Sequence, residues 1–130
     1  MGKFLSEKGY KPAVIIASEA NRAAETAKLF AEQLGIDSAE IQRSESLYGG
    51  GPRAYLAAVN TANEENKSIA IVGHNPDITF FGEYLTRDDI GGSMETASVL
   101  ILEFDDTIKW SEISNKMGKV KGIFTPKSIV

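Results

Sequence analysis

Short apolar runs alternate along the chain with longer amphipathic stretches, and that alternation predicts its elements. Residues 13–17, Ala-Val-Ile-Ile-Ala, are continuously apolar between Pro12 and Ser18, the pattern of a strand covered on both faces in a parallel sheet. Ala20, Ala23, Ala27, Phe30, Ala31 and Leu34 then recur at spacings of three and four ahead of Gly35, which predicts a helix over Asn21–Leu34 with glycine at its stop. Residues 36–46 are mixed, with a short edge strand expected near Ile41. Gly49-Gly50-Gly51 is a flexible turn before Pro52, a good first-turn residue, and 52–63 reads as a helix through Tyr55, Leu56 and Val59.

The run Ile69–Val72 ends abruptly in Gly73-His74-Asn75-Pro76, and a new amphipathic pattern with Ile78, Phe81 and Leu85 occupies Asp77–Leu85. This predicts a buried strand, a tight turn and a short helix. Residues 88–93 form a loop. Residues 97–104 are strand-like, Asp105-Asp106 suits a turn, and 108–113 alternates as the second strand of a hairpin. At the front, 2–8 has helical character and Gly9 is its natural stop. Strands alternating with helices, followed by a hairpin, indicate a single-domain three-layer α/β/α sandwich with a mostly parallel mixed sheet.

Composition narrows the function classes. The chain has 130 residues, 42% hydrophobic and 25% charged, enough for one domain with a real core. A net charge of −4 argues against nucleic acid or an anionic membrane surface as the main partner. Lys116, Lys119, Lys121 and Lys127 make the C-terminal tail basic, as a solvated tail would be. With no cysteine there is no disulfide, thiolate catalysis or zinc-thiolate site, and a metal site would need carboxylates. No signal peptide or membrane span is visible, so the cytoplasm is expected.

Two positions stand out for chemistry. His74, the one histidine in the sequence, sits at the carboxyl end of a predicted strand, where open α/β sheets place ligands, with Asn75 beside it as an orienting group. Arg22 follows the other confident strand, in the first turn of its helix. There a guanidinium offers bidentate recognition of phosphate and the helix N-terminus adds backbone donors. The glycine run at 49–51 lacks the lysine-serine pair of a phosphate loop and is read as a plain loop. Asp88 and Asp89 are read as solvated, and Asp105-Asp106 as turn formers.

These residues also carry a resemblance. Ser18-Glu19-Ala20-Asn21-Arg22-Ala23-Ala24-Glu25-Thr26-Ala27 resembles the Ser-x-x-x-Arg-Ala-x-x-Thr-Ala signature of the histidine phosphatase superfamily. Val72-Gly73-His74-Asn75-Pro76 resembles that superfamily's second-histidine motif as used by the SixA-like phosphohistidine phosphatases. Ser46-Leu47-Tyr48 and Glu95-Thr96-Ala97-Ser98 fall where that branch has comparable segments. The resemblance implies a phosphoglycerate mutase-like fold and phosphoryl transfer through a phosphohistidine to water, with no metal or cofactor. A phosphorylated protein or a small phosphomonoester is the implied substrate. His74 takes the place of the second histidine and Arg22 that of a phosphate clamp, with Ser18 and Asn75 joining them in substrate binding.

The family's first motif, Arg-His-Gly or Arg-His-Ala after an N-terminal strand, is absent from these residues, and Glu19 stands where a proline is usual. The resemblance therefore implies a domain over 1–130 that lacks its first family strand, with Met1 falling inside the first helix. Such a chain is expected to be inactive as given, and the alternative function is a phosphate- or phosphoprotein-binding module without turnover. The lacking strand is a central one, so its neighbours are expected either to pair across the gap or to form a homodimer through exposed strand edges.

Overall fold

The computed structural model describes residues 5, 7–47, 49–92, 94 and 98–125. The element order is β1 (Val14–Ser18), α1 (Asn21–Leu34), β2 (Gln42–Ser44), α2 (Gly51–Asn60), β3 (Ile69–Val72), α3 (Asp77–Leu85), β4 (Val99–Glu103) and β5 (Lys119–Phe124), with short 3-10 turns at Ser38–Glu40, Glu45–Leu47 and Trp110–Glu112.

The strands form two sheets. In the first, β1 lies between β2 and β3 and runs parallel to both, with Ser18 opposite Ser44 and Ala17 opposite Val72. The second is the antiparallel pair β4–β5, with an irregularity in register between Ile101 and Leu102. Among the described residues β3 and β4 do not pair with each other. The side-chain alternation of β1 separates two cores, as a period of two requires. Ile15 and Ala17 face Ala27 and Ala31 of α1, joined by Ala70 and Val72. Ile16 faces the other way, into a cluster with Leu47, Tyr55, Val59, Phe81, Leu85 and Ile113, against which Ile69 and Ile71 pack. Helix α1 thus covers one face of the parallel sheet and α2 and α3 the other, giving the three layers.

Gly35 ends α1 in the left-handed conformation at φ 74°, its N–H reaching the carbonyls of Ala31 and Glu32. Gly9 likewise has φ 84°, and Leu5, buried, accepts the N–H groups of Lys8 and Tyr10. Residues 2–4 and 6 of the expected front helix lie outside the described residues, as do Tyr48, Glu95, Thr96, Ala97 and Lys127.

Three expectations are corrected. Residues 108–113 are not the hairpin's second strand; β4 pairs instead with β5. The backbone around Trp110 is engaged by side chains: Glu64 accepts the N–H groups of Trp110 and Ser111, and the Asn60 amide donates to the carbonyls of Trp110 and Ile113. Those bonds satisfy the groups a ladder would have used. Second, Lys119 and Lys121 do not belong to a solvated tail. They occupy the exposed face of β5, where Lys121 Nζ lies 3.6 Å from Glu103. Third, Ile69–Val72 is half-buried along its whole length rather than buried, because among the described residues β3 ends the order of the parallel sheet.

Candidate functional site

The carboxyl ends of the three parallel strands converge. Because Ser18 pairs with Ser44 and Ala17 with Val72, the residues that follow come out at one edge of the sheet: Glu19 after β1, Glu45 after β2, and Gly73-His74 after β3. A cleft of about 680 Å³ opens there, lined by Glu19, Ala20, Asn21, Arg22, Glu45 and His74. Arg22 and His74, separated by fifty-two positions in sequence, share one cavity. This is the strand-end location at which open α/β sheets bind ligands.

Arg22 is exposed in the first turn of α1. The cap position before that helix is Ala20, which among the described residues has no side-chain cap, and Ala20, Asn21 and Arg22 of this helix start line the cleft. Ser18 is fully buried and lies below the cleft rather than on its wall. Its Oγ accepts the Ala20 N–H at 3.2 Å, which sets the turn that delivers Arg22.

His74 is held through its backbone on two sides. Its N–H donates to Tyr55 Oη at 3.3 Å, and its carbonyl accepts the N–H of Ile78 at 3.0 Å as α3 begins. The side chain is about one third exposed, with Nε2 3.7 Å from Asp77 Oδ2, an ion pair when the imidazole carries its second proton. Tyr55 is fully buried and stacks on Phe81 at a centroid distance of 5.7 Å. Burial raises its phenol pKa above the ordinary value; the hydrogen bond from His74 acts in the opposite sense, and the Asp77 charge adds to the rise.

Asn75 turns toward the loop beyond α3. Its Nδ2 donates to the Met94 carbonyl at 2.6 Å, and its Oδ1 accepts from Thr79 Oγ1, which in turn accepts the Met94 N–H at 3.0 Å. These bonds tie the loop to the start of α3, and Asn75 is not among the residues that line the cleft. Of the four residues singled out in the sequence, the structure brings Arg22 and His74 together and leaves Ser18 and Asn75 in supporting contacts.

Four further residues escaped the sequence reading: Glu19 and Glu45 on the cleft wall, and Tyr55 and Asp77 around His74. Strand register was the signal for Glu45, since each strand of a parallel sheet delivers its next residue to the same edge. Chemically, the cleft brings a guanidinium and an imidazole, both able to donate hydrogen bonds to an oxyanion, together with the carboxylates of Glu19 and Glu45. Among the described residues no cluster of three His, Cys, Asp or Glu side chains could hold a metal ion, and no helix is long and apolar enough to cross a membrane.

No family model matches the chain, and no curated protein matches it. Solved structures do. A candidate phosphohistidine phosphatase SixA from Nakamurella multipartitia superposes with a TM-score of 0.72 at 21% identity, over 96% of this chain and 79% of that one. A candidate phosphohistidine phosphatase SixA from Agrobacterium tumefaciens gives a TM-score of 0.73 at 19% identity, over 96% and 75%. A protein histidine phosphatase SixA complexed with tungstate gives a TM-score of 0.79 at 15% identity, over 99% and 78%. The chain therefore has the SixA fold, the phosphoglycerate mutase-like architecture that its two motifs imply.

Proposed function

We propose that this chain carries the phosphoryl-binding half of a SixA-type phosphatase site: Arg22 and His74 hold the phosphoryl group while a second, nucleophilic histidine that residues 1–130 do not contain takes it as a phosphohistidine and water releases it. The observation that carries the reading is the shared cleft: two cationic or hydrogen-donating side chains from separate strand ends face one cavity. Arg22 supplies two parallel donors to the phosphoryl oxygens, the open N-terminus of α1 adds backbone N–H groups, and His74 donates from its imidazole. Positioning and charge stabilisation supply most of the catalysis in such transfers. The similar SixA structure holds tungstate, a tetrahedral oxyanion like phosphate, which supports the same ligand chemistry here. The substrate of this reading is a phosphorylated protein or a small phosphomonoester, and its setting is the cytoplasm.

One observation favours a second reading. Residues 1–130 contain one histidine, whereas the transfer needs a nucleophilic imidazole and a supporting one. A binding module that recognises phosphoryl groups without turnover uses the same cleft. The edges of β3 and β4, which do not pair with each other, also support self-association through strand pairing. Release of phosphate from a phosphohistidine peptide by the full chain supports the phosphatase. Binding of that peptide without release supports the module, and neither binding nor release overturns both.

A further inference from the structure

Tyr55 is a buried ionisable group that the phosphoryl-binding reading does not use, yet its oxygen meets the backbone of the residue at the centre of the site. The phenol is fully buried in the core between α2 and β3, its ring stacked on Phe81 of α3. Its Oη accepts the His74 N–H at 3.3 Å, and a Cβ built on Gly73 would overlap the phenol oxygen and the adjacent ring carbons. The chain can pass this close to the ring only because position 73 carries no side chain. One side chain of α2 therefore sets both the path of the strand end and the direction of the following peptide.

We infer that Tyr55 is a positioning residue for His74: its hydroxyl fixes the peptide plane from which the imidazole projects into the cleft shared with Arg22. The inference rests on the phosphoryl-binding reading. Among the described residues β3 ends the order of its sheet, with β1 as its neighbour. Two bonds grip the His74 backbone at this turn: Tyr55 on one side and, through Ile78, the first turn of α3 on the other. Loss of the phenol oxygen leaves the second bond and frees the first, letting the imidazole swing relative to the guanidinium. Small displacements of that kind weaken an oxyanion site without removing any group that touches the anion.

The test is Tyr55→Phe in the full chain, titrated with inorganic phosphate well below its melting temperature, while the His74 backbone amide is followed by 15N–1H NMR. The expected result is an upfield shift of that amide and an affinity for phosphate about 3- to 10-fold lower than wild type. A purely structural tyrosine would lower the melting temperature and leave the affinity of the folded protein unchanged. Wild type that binds phosphate alongside a variant that binds equally well overturns the role of Tyr55 alone. Wild type that fails to bind phosphate overturns the phosphoryl reading and this inference with it. Should the variant not fold, amide exchange in the wild type decides: a protected His74 amide supports the bond, and a freely exchanging one overturns it.

Discussion

Gly73 lies so close to Tyr55 that any Cβ at position 73 would occupy the space of the phenol oxygen. The contact is between a backbone and a fully buried ring, so neither side can yield cheaply. Gly73→Ala is expected to destabilise the fold by about 1–3 kcal/mol through overpacking, measured by urea unfolding. It is also expected to weaken phosphate binding, because the displaced ring carries the acceptor for the His74 N–H. An alanine variant as stable as wild type would contradict the packing described.

Alkaline unfolding reads the same tyrosine. Burial holds the Tyr55 phenol neutral above the ordinary tyrosine range, so the unfolded chain releases that proton first. The associated stability is complete below about pH 10 and is lost as pH rises through the higher folded value. Tyrosinate absorbance should therefore show a late phase coincident with unfolding that Tyr55→Phe removes. A Tyr55 that ionises before the fold is lost would contradict this.

Asn60 tests the corrected region around Trp110. Its amide donates to the carbonyls of Trp110 and Ile113 at 2.8 and 3.0 Å, holding the connection between β4 and β5 against α2. Asn60→Ala is expected to cost about 1–2 kcal/mol by leaving partly buried carbonyls without that donor. Thermal denaturation checks it, and an unchanged melting temperature would count against the assigned contacts.

Glu19 and Glu45 face any anion that enters the cleft. Neutralising either one, as Glu19→Gln or Glu45→Gln, should tighten binding of tungstate by roughly 2- to 5-fold, the range of a weak exposed charge interaction. The gain should shrink as salt is raised. Weaker binding in both variants would show that the carboxylates contact the ligand favourably.

Much of the fold was legible because local pattern and tertiary position agreed. Helix Asn21–Leu34 and strand Ile69–Val72 carry clean periodicity with glycine stops, and both form at their expected bounds. The hairpin misled because residues 108–113 alternate like a strand, while the residues that claim their backbone, Asn60 and Glu64, are distant in sequence and polar. The true partner, β5, hid in a lysine-bearing stretch whose alternation of exposed and half-buried positions resembles a tail. Arg22 and His74 were readable because both follow apolar strands directly. Glu45 follows a strand of three residues with no apolar run to announce it, and Tyr55 reaches the site only through the packing of α2 on the sheet.

The central claim is that Arg22 and His74 form one oxyanion site, and calorimetric titration of the full chain with tungstate tests it most directly. Wild type should bind one equivalent. Arg22→Ala should lose about 10- to 100-fold in affinity, the worth of a charge-assisted hydrogen-bonded contact, and His74→Ala should fall in the same direction with the fold intact. Wild type without measurable binding, or variants that bind as wild type does, would contradict the account.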